Sequence, residues 1–404
     1  MLSWRACSTP VIGVCAAMRD TGPAIAAATS AVSKDFRKNG TAMVTPQGPD
    51  AYCTFEVITG REYDSNRFKR QATPLTNTMM KHETLISLKG GFRVCALFLA
   101  MAGFTTAAAA QATSPRAVLV TGASSGIGRK ITERLSEKGI FVYAGARSQK
   151  DLDDLNSIKN VQAVRLDVTA PADIAGAVET VKKGGRGLYG VVNNAGIAVV
   201  APLVEVSEKD MNDIVNVNLL GPYRITKAFA PMLFESKGRV VNISSLNGIV
   251  ASPMIGPYSM TKHGIEAYGD GLSQELARFG VKVALIEPGN YGTDIGKSVI
   301  ARTDTNAYKG SRFEAQMRSA LNSMRAFESY PAPDEVADAV YDAITSDTPK
   351  LRYLVVPAQN QAAIAIRKVI EELVQLNADQ KFSYDRDALV KMLDDAIARS
   401  KQKR

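Results

Sequence analysis

From residue 116 onward the chain alternates between two hydrophobic patterns. Short unbroken apolar runs rich in β-branched residues, the kind that cross a buried sheet centre, fall at 116–121, 140–144, 161–166, 190–192, 238–243, 281–286 and 351–356. Between them lie stretches with apolar positions three or four apart, the repeat of a helix with one buried face. Ile127, Ile131 and Leu135, at i, i+4 and i+8, open the first of these. Further helices are predicted over 171–183 with Thr169 as N-cap, over 209–234 with a bend near Gly221 and Pro222, over 258–279, and over 333–344. Right-handed crossovers joining such strands make them parallel and put helices on both faces. The expectation is an α/β, doubly wound parallel sheet over 116–376, followed by a helical basic tail over 377–404. The stretch 290–330 holds Ile295, Val299 and Ile300 among polar and small residues and reads as a long connection. It is either a lid over a substrate or a loose excursion.

The first 115 residues lack this order. Over 1–78, groups such as Thr21-Gly22-Pro23 and Thr45-Pro46-Gln47-Gly48-Pro49 interrupt every apolar run. Too little apolar surface gathers to offset the entropy of ordering, so this part is expected to be disordered or an upstream extension before a start at Met79 or Met80. A transit peptide fits less well, given Asp20, Asp35 and Asp50. Residues 79–112 have the layout of a signal peptide or an anchor. Lys81, Lys89 and Arg93 precede an apolar run over 94–104, and alanines spaced Ala-x-Ala follow. Membrane association or export through 80–112 is therefore expected, with a cytoplasmic protein if the segment is not used.

Composition narrows the classes. Hydrophobic residues at 46% and charged residues at 22% exclude a wholly disordered chain and a multi-span membrane protein. The formal charge of +9 divides into 12 Lys and Arg against 7 acids over 1–115 and 37 against 33 thereafter. The later excess matches the four basic residues among the last six, which is no nucleic-acid stripe. All four cysteines precede Pro115, no CxxC occurs, and the only histidines are His82 and His263, so no metal site of Cys and His and no disulfide scaffold is expected.

The chemistry begins at the end of the first run. Gly122-Ala123-Ser124-Ser125-Gly126-Ile127-Gly128 links a strand to a helix. Glycines permit a tight turn and close approach, and the helix N-terminus offers free N–H groups and a positive dipole end, which together make a pyrophosphate cradle. An acidic residue about 20 positions past the glycines would bind ribose hydroxyls. Here the second run ends in Gly145-Ala146-Arg147 and the first acid is Asp151. Arg147 suits a 2′-phosphate, so NADP(H) is favoured, with NAD(H) possible. Asp167-Val168, after the third run, places a carboxylate to accept from an adenine amine.

These residues, with Asn193-Asn194-Ala195-Gly196, Ser245, Tyr258-Ser259-Met260-Thr261-Lys262, and Pro288-Gly289 with Thr293, resemble the short-chain dehydrogenase/reductase family over about 116–357. Glu266-Ala267-Tyr268-Gly269-Asp270-Gly271-Leu272 and Ile286-Glu287-Pro288-Gly289-Asn290 look most like its steroid, retinol and hydroxybutyrate dehydrogenase branch. The resemblance implies a Rossmann domain and hydride transfer between nicotinamide and a carbonyl carbon. Tyr258 would move the oxygen's proton. A phenol titrates near pH 10 in water, and Lys262 at i+4 supplies the charge that favours phenolate. The resemblance further gives Lys262 the nicotinamide ribose, Ser245 the substrate oxygen, and Asn218 a water behind the lysine. It also implies cofactor contacts from Gly122, Ser124, Ser125, Gly126, Ile127, Gly128, Asn194, Ala195, Gly196, Pro288, Gly289 and Thr293, and a dimer or tetramer. No metal is required. His263 points about 100° away from Lys262 around the helix and reads as a packing or surface residue. The expected activity is NADP(H)-dependent interconversion of an alcohol and a ketone or aldehyde on an apolar small molecule. A 3-oxoacyl-thioester reductase and a non-catalytic dinucleotide sensor are the alternatives.

Overall fold

A computed structural model describes residues 116–402; the expectations for 1–78 and 79–112 lie outside them. Seven parallel strands form one sheet: β1 Ala117–Val120, β2 Phe141–Ala146, β3 Val161–Arg165, β4 Gly190–Asn193, β5 Arg239–Ile243, β6 Lys282–Pro288 and β7 Arg352–Val355. Their order is β3-β2-β1-β4-β5-β6-β7, the doubly wound arrangement expected from the alternating pattern. Strand order reverses between β1 and β4, where Val118, Leu119 and Val120 pair with Gly190, Val191 and Val192. A crevice opens at the carboxyl ends of strands at such a switch point.

Period-2 alternation accounts for burial on both faces. Val118 and Val120 of β1 enter one apolar core, with Val241, Ile243, Ala284 and Ile286 from β5 and β6. Helices α1 (Gly126–Glu137) and α2 (Gln149–Asn156) cover it. Ala117 and Leu119 enter the core on the other face, with Val240 and Val283. Helices α3 (Pro171–Lys183), α4 (Glu208–Asn218), α5 (Leu220–Ser236) and α6 (Gly256–Ala277) lie between the strands that follow, and Ile174, Ile225, Phe229 and Leu276 from three of them close the second core.

Three local expectations are corrected. The N-cap of α3 is Ala170, not Thr169. Thr169 instead gives its N–H and its hydroxyl to Asp167 Oδ1, at 2.8 and 2.6 Å. The helix expected over 209–234 is two helices, α4 and α5, divided at Leu219 (φ −111°, ψ −53°) rather than bent at 221–222. Pro222 has no N–H for the carbonyl of Asn218, so the ladder fails one turn before the proline.

The stretch 290–330 is not a loose excursion. It holds α7 (Ile295–Arg302), α8 (Glu314–Met324) and 3₁₀ turns at Thr305–Tyr308 and Arg325–Ser329. Val299, Tyr308 and Met317 build a small core of their own with Val200 and Ala201. The Gly292 N–H donates to the Pro331 carbonyl at 2.7 Å and closes the neck of this insert. Beyond it come α9 (Asp334–Thr345), then β7, α10 (Gln359–Asn377) and α11 (Arg386–Gln402). The expected boundary at 376 falls in the last turn of α10, whose Ile366, Val369, Ile370 and Leu373 are exposed. Among the described residues no helix is long and apolar enough to cross a membrane.

Candidate active site

The glycine loop leaves β1 through Gly122, whose φ of +63° is the left-handed region that glycine adopts without strain. A Cβ there would lie 2.9 Å from the Ala195 Cα, and one on Gly128 would lie 2.1 Å from the Gly122 carbonyl oxygen. The turn closes only with hydrogen at both positions. An asparagine and a threonine side chain then tie it to β4. Asn194 Nδ2 donates to the carbonyls of Thr121 and Gly122 at 2.9 and 3.0 Å. Thr121 Oγ1 accepts from the N–H groups of Asn194 and Ala195, both at 3.0 Å. The first helical bond of α1 runs from the Arg129 N–H to the Ser125 carbonyl. The earlier N–H groups, and a first turn without acidic residues, face an open crevice.

That crevice is lined by Gly122, Ser124, Ser125, Gly126, Ile127 and Gly128 of the loop, by Arg147, Asp167 and Val168, by Asn194, Ala195 and Gly196, and by Pro288, Gly289 and Thr293. Every residue expected at a nucleotide therefore converges there. Thr293 packs over Gly126, its Cβ 3.2 Å from where a Cβ of that glycine would stand. Arg147 is 66% exposed and its guanidinium lies 3.9 Å from Asp167. Burial acts to raise the Asp167 pKa, but the Thr169 hydrogen bonds and the nearby Arg147 and Arg165 outweigh it and hold this carboxyl below its usual range. Sequence reasoning does not single out Arg165. Its guanidinium donates to the Arg147 carbonyl at 2.9 Å, which adds a second cation at this corner. The signal for it lies in the register, Ala146 against Arg165, and not in spacing along the chain.

The same crevice continues to Ser245, Tyr258 and Lys262. Ser245 follows β5 in extended backbone, and its hydroxyl accepts from the Asn247 N–H at 3.1 Å. Helix α6 starts at Gly256 with Pro257 in its first turn, which sets Tyr258 and Lys262 one turn apart. Lys262 is 5% exposed. Its Nζ donates to the Ile243 carbonyl at 2.8 Å and lies 5.5 Å from the centre of the Tyr258 ring. Burial raises the Tyr258 pKa, opposed by a hydrogen bond with Ser245. Burial pulls Lys262 down to about 8, opposed by the charge of Glu266.

Asn218 is placed differently from these. It is 2% exposed. Its Oδ1 accepts from the Ile197 N–H, and its Nδ2 donates to the Ile197 carbonyl and to Thr261 Oγ1. The side chain thus fastens the 197 segment to α6 beside Lys262, and Val217 takes the place on the crevice wall. His263 is exposed, with Nδ1 on the Ser259 carbonyl at 2.9 Å. Residues from the insert complete the wall, Ile295, Ser298, Met324 and Phe327 among them, facing Val200 and Ile255. Among the described residues no cluster of three or more His, Cys, Asp or Glu could hold a metal.

The short chain dehydrogenase family matches residues 116–304. The chain is 40% identical over 198 residues to the mitochondrial D-beta-hydroxybutyrate dehydrogenase of Mus musculus, across 46% of this chain and 57% of that protein. The chain thus matches little more than half the length of that relative. It is 35% identical over 254 residues to retinol dehydrogenase 7 of Rattus norvegicus, across 58% of this chain and 79% of that one. The solved structure of a short-chain dehydrogenase from Streptomyces avermitilis superposes with a TM-score of 0.55 at 27% identity, covering 65% of this chain and 95% of that one. With its seven-stranded parallel sheet, this chain belongs to the short chain dehydrogenase family, in the branch of the hydroxybutyrate and retinol dehydrogenases.

Proposed function

We propose that this domain is an NADP(H)-dependent oxidoreductase that interconverts an alcohol and a ketone or aldehyde on an apolar substrate. One observation carries the reading. A single crevice has a glycine-floored helix N-terminus at one end and Ser245, Tyr258 and Lys262 at the other. The residues present fit a dinucleotide. The free N–H groups of α1 suit a pyrophosphate, and glycine at 122 and 128 lets the loop beneath them close on Ala195 and on its own carbonyl. Arg147, with Arg165 behind it, suits a 2′-phosphate, and Asp167 an adenine amine. When bound, the nicotinamide supplies or accepts the hydride at the carbonyl carbon.

The chain's own groups handle the oxygen. In the reducing direction Ser245 Oγ–H donates to the carbonyl oxygen, and the Tyr258 hydroxyl passes its proton there as negative charge develops. The phenolate left behind is stabilised by the Lys262 ammonium, whose Nζ is held on the Ile243 carbonyl. Oxidation runs the same transfers backward. The carbonyl of Asn218, stripped of its helical donor by Pro222, accepts from a water that connects Lys262 to solvent. The insert carrying α7 and α8 serves as a lid, and its apolar Ile295, Met324 and Phe327 favour an apolar substrate. We further read the protein as a dimer or tetramer, with the apolar segment 94–110 carrying any membrane attachment or export. Calorimetric titration of the full chain with NADPH and NADH tests the reading. Tighter NADPH binding, with NADPH-driven reduction of apolar ketones or aldehydes, is expected; binding of neither nucleotide refutes it.

A further inference from the structure

Helix α6 carries Lys262, Glu266 and Asp270 at i, i+4 and i+8, on one face toward β6 and β7. Lys262 and Glu266 are buried, and Glu287 on β6 is 2% exposed. Arg352 of β7 meets all three carboxyl groups. Its Nε lies 3.1 Å from Glu266 Oε2 and 3.4 Å from Glu287 Oε1, and its Nη2 donates to both Asp270 oxygens at 2.8 Å. Two glutamates thus share one guanidinium nitrogen that has a single hydrogen to give. That hydrogen goes to Glu266 Oε2, so Glu287 Oε1 is left without a donor, and Glu266 Oε1 is likewise buried without one. Ser244 at the end of β5 stands close by, and its hydroxyl is also unpartnered. A Cβ on Gly248 would stand 2.6 Å from that hydroxyl and 3.1 Å from Glu266 Oε1.

With every group in its ordinary ionisation state, three carboxylates face two cations, Arg352 and Lys262, and an uncompensated negative charge is buried. One proton removes both difficulties. A protonated Glu287 donates to Glu266, which gives the two orphaned oxygens a donor and an acceptor and brings the cluster to neutrality. We propose that the Glu266–Glu287 pair holds one shared proton, and that the single negative charge left on Glu266 is the counter-ion that keeps Lys262 an ammonium beside Tyr258. Both glutamates act through Lys262 and are positioning residues for the proton-transfer site. Burial, reinforced by the charge of Glu266, pushes Glu287 up to about 8 against the pull of Arg352, in agreement with the geometry.

The functional half of this inference rests on the dehydrogenase reading, whereas the proton is measurable without turnover. The full chain, with E287Q and E266Q, is unfolded in urea at pH values from 5 to 9. Between the ordinary glutamate pKa and about 8, the folded wild type holds a proton that the unfolded chain has released. Its stability therefore falls as pH rises, by a folding constant of up to about tenfold per pH unit. E287Q carries a fixed donor in place of the proton and loses this component, so its stability relative to wild type climbs from pH 5 to 8 and levels above. A flat difference overturns the shared proton. In the pH profile of kcat/KM for NADPH-driven reduction, E266Q moves the alkaline fall downward by roughly one unit, whereas E287Q leaves the position of that fall in place. Equal shifts in the two variants, or none in E266Q, overturn the counter-ion role. If E266Q does not fold, the pH dependence of E287Q decides on the proton alone. A sloped difference together with no turnover on any carbonyl supports the proton and refutes the dehydrogenase reading.

Discussion

Replacing Asn194 tests whether the glycine loop is held by two hydrogen bonds or by packing. The amide gives both of its hydrogens to main-chain carbonyls, those of Thr121 and Gly122. In N194A these carbonyls lose their donor at a half-buried site. At a net value near 1 kcal/mol per hydrogen bond, the cost is about 2 kcal/mol, or a fall in Tm of about 5 °C for a domain of this size. N194D keeps the volume but reverses the chemistry, because an ionised carboxylate directs lone pairs at two carbonyl oxygens. It should be less stable than N194A at pH 7 although it is the closer isostere. The penalty should also shrink on acidification. The introduced carboxyl group, half-buried and facing acceptors, has its pKa raised above the unfolded value near 4. The stability of N194D is therefore greatest at low pH and falls as pH rises through the folded pKa. Thermal denaturation of both variants at pH 5 and pH 7 measures this, and NADPH titration should show about tenfold weaker binding for N194A as the loop loses its fixed shape. N194D as stable as N194A at both pH values would refute the reasoning.

Three further outcomes are expected. Y258F should lower turnover by about 10²–10⁴-fold, the usual worth of a positioned proton donor, while calorimetry shows NADPH affinity close to wild type. R147A should weaken NADPH by about 10- to 100-fold, the value of one charged hydrogen-bonding partner, with NADH unchanged in the same titration. M317A removes a buried side chain from the insert's small core. At a cost of about 2–4 kcal/mol borne locally, it should raise KM for carbonyl substrates and speed proteolysis within 293–330, without altering the NADPH dissociation constant.

Strands, and the loops that follow them, are readable because their signals are local. Val118 and Val120 alternate with Ala117 and Leu119 whatever else the chain does, and Gly122 to Gly128 can make little but a tight turn into a helix. Tyr258 and Lys262, one turn apart, stand out only together with Ser245 and the glycine loop, through the family they resemble. Misreadings arise where a distant group or a competing local bond decides. Thr169 looks like a cap, but Asp167 two residues earlier captures both of its donors. Pro222 announces a disturbance, yet its effect falls on the carbonyl one turn back, at Asn218. The insert looks irregular because its short helices bury their apolar sides against one another and against residues far away in sequence, Val200, Ala201, Val206 and Ile255 among them. Arg352 carries no signal until β6 and β7 pair with Leu285 opposite it. No periodicity along one strand contains that register.

The neck at Gly292 and Pro331 sets how this scaffold can diversify. Chain enters and leaves the insert at a single hydrogen-bonded point, between a strand and a helix that hold their places without it. Lengthening such a loop costs only about 0.6 kcal/mol per doubling. Insertions, deletions and replacements beyond Thr293, which packs over Gly126 of the glycine loop, therefore leave strand register and the phosphate cradle in place. A swap of this module between relatives, cut just after Thr293, would exchange what the catalyst accepts while preserving how it handles nucleotide. Divergence in diet within one architecture then requires no redesign of the engine.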